Sequence, residues 1–176
     1  MRIISGKHRG RVLAEFRGKE IRPTADRVKE SLFNILAARI PGARVLDLFC
    51  GSGALGLECI SRGAEAVFND VSADSLAVLK KNLTAMKESA AVYGYDYKVC
   101  LDRMTGKFDL IFVDPPYACD YLADVLNRIA ERDLLEEDGL VIYESDRPAD
   151  GLPQGWVTAD ERNYGRTSVW FFRRQV

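Results

Sequence analysis

Val45-Leu46-Asp47-Leu48-Phe49-Cys50-Gly51-Ser52-Gly53-Ala54-Leu55-Gly56 decides the fold. A short apolar run, Val45 to Phe49, ends in glycines and passes into a helical stretch from Ala54 to Arg62, with Gly63 at its C-terminal stop. Strand, glycine turn and helix in that order form the G-x-G-x-x-G pattern. Glycine lets the backbone turn sharply and lets a ligand approach it closely. Alone, the pattern also fits an enzyme that binds a dinucleotide.

Downstream the alternation continues. Ala66-Val67-Phe68 reads as a second strand ending at Asp70. Ser72 to about Ser89 reads as a helix with Leu76, Leu79, Leu83 and Met86 on one face. Val92 to Tyr97 is a third strand, and Phe108 to Val113 a fourth, apolar enough for the middle of a parallel sheet. A helix from Tyr121 to about Leu135, a turn at Asp138-Gly139 and a strand Leu140 to Tyr143 follow. Residues 145–155 are loop-like. Trp156 to Thr158 and Ser168 to Phe172 look like a closing antiparallel pair, with their aromatic residues in the core.

Upstream, Pro23-Thr24 opens a helix that carries Val28, Leu32, Ile35 and Leu36 and stops before Pro41-Gly42; Thr24 is its expected N-cap. Residues 1–23 alternate apolar and basic residues and read as a strand or hairpin arm. The expectation is therefore an α/β protein with a doubly wound, mostly parallel Rossmann-like sheet, a C-terminal antiparallel strand pair and a short basic N-terminal arm. The arm is 1–23, and a single domain spans 24–176.

The chain has 176 residues, 47% hydrophobic and 29% charged, as one soluble globular domain would. It has no apolar run of membrane-spanning length and no apolar signal core behind its basic start, so a cytoplasmic location is expected. Cys50, Cys59, Cys100 and Cys119 form no C-x-x-C pair and have only His8 to help them. Free thiols, and no metal, are expected. The net charge of −1 hides an asymmetry: residues 1–40 hold ten Lys/Arg against four acids, and the remainder fifteen against twenty-two. A basic front on an acidic body suits a polyanion.

Asp47 distinguishes between ligands for the glycine loop. A pyrophosphate there would be repelled by the carboxylate, whereas a ligand with a cationic amino group is attracted. S-adenosylmethionine carries that group and a sulfonium as well. Asp70 ends the second strand, where an acid can accept both ribose hydroxyls. Asp96 is read at the end of the third strand, able to take an adenine amine, with Tyr97 beside it. Phe49, Gly51 and Gly53 complete the expected cofactor set.

Asp114-Pro115-Pro116-Tyr117 follows the most apolar strand directly. Consecutive prolines hold the backbone extended and leave carbonyls with no competing N–H. A nucleobase amine is a poor nucleophile because its lone pair is delocalised into the ring. Asp114 and the Pro115 carbonyl can each accept an N–H and draw the nitrogen toward a tetrahedral shape, with Tyr117 stacking on the base. In the basic front, Arg9, Arg11, Arg22, Thr24 and Arg27 are the candidate RNA contacts. His8 reads as an arm contact.

On these residues the chain resembles the RsmD-type 16S ribosomal RNA guanine-N2 methyltransferases of bacteria, over essentially its whole length. The resemblance runs through Arg2-Ile3-Ile4-Ser5-Gly6, Arg9-Gly10-Arg11 and Arg22-Pro23-Thr24-Ala25-Asp26-Arg27-Val28-Lys29-Glu30. It continues through Leu32-Phe33-Asn34, the Asp47 to Gly53 loop, Asp114 to Tyr117 and Tyr164-Gly165. It implies a monomeric cytoplasmic enzyme that methylates one small-subunit guanine after some ribosomal proteins have bound. Asp70 stands where that family usually has glutamate, and the arm around Glu15-Phe16-Arg17 lacks a proline often found there. Asp-Pro-Pro-Tyr by itself fits an adenine-N6 methyltransferase of DNA or RNA equally; the choice of guanine rests on the resemblance. A dinucleotide-dependent reductase conflicts with Asp47, and a non-catalytic RNA-binding module with the intact Asp-Pro-Pro-Tyr.

Overall fold

The computed structural model describes residues 1–16, 23–116 and 120–175, the side chains of Pro23 and Thr24 excepted. Five helices and seven strands are defined in it. In chain order they are α1 (Pro23–Ile35), β1 (Arg44–Asp47), α2 (Ala54–Ser61), β2 (Glu65–Asn69), α3 (Ala73–Met86) and β3 (Ala91–Tyr93), then α4 (Tyr97–Arg103), β4 (Phe108–Val113), α5 (Leu122–Glu131), β5 (Leu135–Ser145), β6 (Trp156–Tyr164) and β7 (Thr167–Arg174). The strands form one sheet in the order β3-β2-β1-β4-β5-β7-β6. β1 to β5 run parallel, and β7 pairs antiparallel with both β5 and β6. This is the doubly wound sheet and closing pair expected from the sequence.

The strand alternation sorts the core into two faces. Leu46, Leu48, Ile111, Val113, Val141 and Tyr143 pack with α4 and α5. Val45, Leu110, Phe112 and Ile142 face Leu32 and Phe33 of α1 and Leu36 just beyond it, while Ala66 and Phe68 meet α2, α3 and the arm residues Ile3 and Leu13. Strand order reverses between β1 and β4, which pair at Asp47↔Phe112. The glycine loop after β1 and the Asp114 segment after β4 thus emerge side by side, where open α/β sheets bind ligands.

Several elements differ from the sequence reading. β3 ends at Tyr93 and not at Tyr97; Asp96 instead caps α4, accepting the Lys98 N–H at 2.9 Å, and Tyr97, Cys100 and Leu101 bury one face of that helix. The alternation of Tyr93, Tyr95 and Tyr97 imitates a strand. Asp138-Gly139 is no turn between elements but part of β5, whose pairing with β4 jumps from Phe108↔Leu135 to Leu110↔Leu140, so residues 136–139 bulge. Thr24 is not the N-cap of α1: the helix already begins at Pro23, so Thr24 lies inside its first turn.

The first residues fold back on themselves. Ile3 donates its N–H to Arg11 at 2.9 Å, and Gly10 donates to Ile3 at 2.8 Å, around an antiparallel bridge Arg2↔Val12. Glu58, fully buried on α2, fixes this segment by accepting the N–H groups of Ile4 (2.8 Å) and Ser5 (3.0 Å) and pairing with Lys29 (3.2 Å) and Arg62 (2.9 Å). Burial alone would disfavour the Lys29 charge; the Glu58 carboxylate opposes that. Asn82 of α3 accepts the Ala14 N–H at 2.7 Å, and its amide donates to the carbonyls of Ala14 and Ser52, each at 3.1 Å. Among the described residues no helix is long and apolar enough to cross a membrane. Cys50, Cys59 and Cys100 are free and buried; Cys119 lies outside the described residues.

Candidate active site

Gly51 and Gly53 have φ of 54° and 87°, left-handed values that only glycine adopts without strain, and Gly53 is the N-cap of α2. They hold the loop against the sheet edge above Asp47. Asp47 is buried and accepts the Gly56 N–H at 3.0 Å. Asp70 accepts two backbone N–H groups, from Gly51 and Ser72, each at 2.8 Å. This ties the loop to the end of β2.

A cavity of about 480 Å³ opens over the loop. Its walls include Asp47, Phe49, Gly51 and Ser52 from β1 and the loop, Asp114 from the end of β4, Glu144 from β5, Lys29 from α1, and Glu15 and Phe16 from the arm. Gly53, Asp70, Asp96 and Tyr97 stand outside these walls. Asp96 is exposed at the cap of α4. Tyr97 is buried, with its ring 5.7 Å from that of Phe49 and 4.6 Å from that of Tyr121, and its hydroxyl donates to Asp124 at 2.7 Å. Tyr97 thus backs Phe49 from behind.

Four carboxyl groups line the cavity; Glu15 pairs with the Met1 amine, and the other three, Asp47, Asp114 and Glu144, are hard to ionise there. Burial raises Asp47 to about 7 against the opposing Gly56 N–H bond, and the nearby Asp70 charge adds to the rise. Asp114 is raised well above the carboxylate range by burial, then by Glu144, then by Asp47. Glu144 is raised by burial. None of the three forms an ion pair among the described residues. Lys29 reaches the cavity wall, but its amine is held by Glu58 and by the Arg2 carbonyl at 3.1 Å. A cation placed in this cavity would relieve three like charges at once. No group of three His, Cys, Asp or Glu suited to a metal ion exists among the described residues.

A second cavity, of about 190 Å³, lies on the other side of Glu144. Pro115, Pro116, Tyr143, Ser145, Arg147 and Pro148 are in its walls. Pro115 is buried and Pro116 exposed. Glu144 belongs to both cavities; its position was missed in the sequence because only the β4/β5 register, Val113↔Tyr143, puts it beside Asp114. Tyr117 and Arg22 lie outside the described residues, as does the Thr24 side chain. Arg9, Arg11 and Arg27 are all exposed.

The family model described as Conserved hypothetical protein 95 matches residues 1–173. The chain belongs to this family. Its relatives there include the ribosomal RNA small subunit methyltransferase D of Escherichia coli (strain K12), 35% identical, with 100% of this chain and 91% of that protein aligned. The Bacillus subtilis (strain 168) protein YlbH is 40% identical over 99% of this chain and 100% of its own length. The solved structure of YhhF from Escherichia coli superposes with a TM-score of 0.88 at 32% identity, covering 100% of this chain and 98% of that one. The RsmD-type resemblance read from the motifs is therefore correct, and the Conserved hypothetical protein 95 fold is a methyltransferase fold.

Proposed function

We propose that the protein, an rRNA methyltransferase by its relatives, transfers a methyl group from S-adenosylmethionine to the exocyclic N2 amine of a guanine in 16S ribosomal RNA. The observation that carries the cofactor is the cavity over the glycine loop, in which the buried Asp47 and the half-buried Asp114 and Glu144 have no cation paired to them among the described residues. A ligand with an ammonium and a sulfonium matches this donor set, and a pyrophosphate does not. When bound, S-adenosylmethionine supplies a methyl group on a cationic sulfur, which departs as a neutral thioether.

Asp47 and the Gly51–Gly53 loop would hold the amino-acid end, Asp70 the ribose hydroxyls, Asp96 the adenine amine, and Phe49, backed by Tyr97, the apolar wall. Asp114 and the Pro115 carbonyl accept the two N–H groups of the target amine, which localises the lone pair on nitrogen and aims it at the methyl. Pro116 keeps that carbonyl in place, and Tyr117 stacks on the base. As the N–C bond forms, nitrogen becomes positive and sheds one proton; Asp114, with Glu144 beside it, is the local acceptor.

Arg9, Arg11, Arg22, Thr24 and Arg27 hold the RNA backbone, from an arm of residues 1–23 on a domain of 24–176. The protein acts as a cytoplasmic monomer on a partly or fully assembled small subunit. The test is transfer of labelled methyl to unmodified small subunits, naked small-subunit RNA and duplex DNA, followed by nucleoside analysis. N2-methylguanosine in the RNA or subunits is expected; label found only as N6-methyladenine would overturn the substrate.

A further inference from the structure

The sheet places one acidic side chain between the cavity assigned to the cofactor and the cavity next to the diproline. Glu144 follows Tyr143, which pairs with Val113, and Asp114 is the residue after Val113. Asp114, just past the end of β4, and Glu144, near the end of β5, therefore lie at the same level on neighbouring parallel chains, and both line the larger cavity. Only Glu144 of these two also lines the smaller one, together with Pro115 and Pro116. The Asp114 and Pro115 acceptors use up both hydrogens of an exocyclic amine. The carboxylate next to them is left facing whatever lies beside that amine on the base.

We propose that Glu144 selects the base by accepting the ring N1–H that adjoins the N2 amine of guanine. The inference rests on the guanine-N2 reading above and deepens it. A carboxylate is an acceptor with no hydrogen to give. Guanine presents N1–H and N2–H as adjacent donors on one edge, so a row of three acceptors fits it. Adenine presents an N6 amine next to a bare N1 lone pair, which a carboxylate repels and desolvation penalises. Sites built to hydrogen-bond a substrate N–H reject analogues lacking it far more strongly than apolar pockets reject size differences. Asp114 itself cannot make this distinction, since every exocyclic amine offers it the same N–H. The placement of Glu144 converts a general amine site into one that reads the neighbouring ring position.

The like charge of Asp114 sharpens the division of labour. Burial raises the cost of ionising both carboxyls, and the Glu144 charge beside Asp114 raises that of Asp114 further. A donor edge laid across both relieves that repulsion, and an acceptor edge does not.

The experiment compares wild type and Glu144→Gln on small-subunit RNA carrying either guanine or 2-aminopurine at the nucleotide that receives the methyl. 2-Aminopurine keeps the N2 amine and lacks the N1–H. Wild type is expected to prefer guanine in kcat/KM by about 100-fold or more. Glutamine offers both an acceptor and a donor, so in Glu144→Gln the preference is expected to fall to about 10-fold or less. Equal use of the two bases by wild type overturns the proposal without any variant. An unchanged preference in Glu144→Gln, both bases slowed alike, also overturns it. If wild type methylates adenine and no guanine, the guanine reading itself fails, a result distinct from each of these.

Discussion

Gly51 donates its backbone N–H to Asp70 Oδ2 at 2.8 Å, joining the glycine loop to the end of β2 through one bond. The other oxygen of Asp70 is held by Ser72. Each oxygen keeps a further lone pair, so the carboxylate can organise the loop and still accept a diol. Asp70→Ala is expected to raise the Kd for S-adenosylmethionine by about 10- to 100-fold in calorimetry, the range of one or two charge-assisted hydrogen bonds. An unchanged affinity would remove Asp70 from the cofactor site.

Asp114→Ala should separate binding from chemistry. The residue lines the cofactor cavity, but its assigned partner is the target amine. Single-turnover methyl transfer is expected to slow by a factor of about 10² or more, with cofactor affinity nearly intact. Loss of cofactor binding in this variant would contradict that role.

Asp47 makes cofactor binding depend on pH. Burial raises its carboxyl to about 7, so without ligand it is largely protonated below that value. Only the ionised form attracts an ammonium. Affinity should therefore weaken as pH falls through about 7, and Asp47→Asn should flatten the dependence across a titration from about pH 5.5 to about 7.5. For stability the sign is opposite. A carboxyl that binds its proton more tightly folded than unfolded contributes fully at low pH, and the contribution is lost as pH rises through about 7. Unfolding midpoints of the ligand-free protein should then drop from pH 5.5 to 7.5 by more in wild type than in Asp47→Asn. Parallel curves would locate the titration elsewhere.

Arg9 and Arg11 are exposed on a segment that Glu58 and Asn82 pin from beneath. Neutralising both is expected to weaken RNA binding and to lower the slope of log K against log salt by about 1 to 2, one per lost phosphate contact. An unchanged slope would take the arm out of the RNA interface.

The parts that the sequence revealed are those governed by short-range rules. Gly51 and Gly53 announce a turn that needs positive φ, and the apolar block Phe108 to Val113 announces a buried parallel strand. The third strand was misread because Tyr93, Tyr95 and Tyr97 alternate like a pleated face. Asp96 ahead of Tyr97, Cys100 and Leu101 was the available signal for a capped helix. Asp138-Gly139 carries turn chemistry and is used for a bulge, because β4 holds the flanking residues in register. Glu144 could not be found by any local rule. Its meaning comes from the pairing of its neighbour Tyr143 with Val113, thirty residues before Tyr143 on a different strand. Lys29, one of the ten basic residues of the front, is buried because Glu58, on a helix distant in sequence, receives it.

Asn82 holds Ala14 through two bonds and Ser52 of the glycine loop through a third. One amide therefore joins the segment assigned to the RNA to the loop assigned to the cofactor. If RNA shifts the arm, the donor that steadies the loop shifts with it, and a cofactor that tightens the loop preorganises the arm in return. Linkage requires the two effects to be equal in free energy, so the enzyme meets its polymer and its small molecule as partners in one equilibrium.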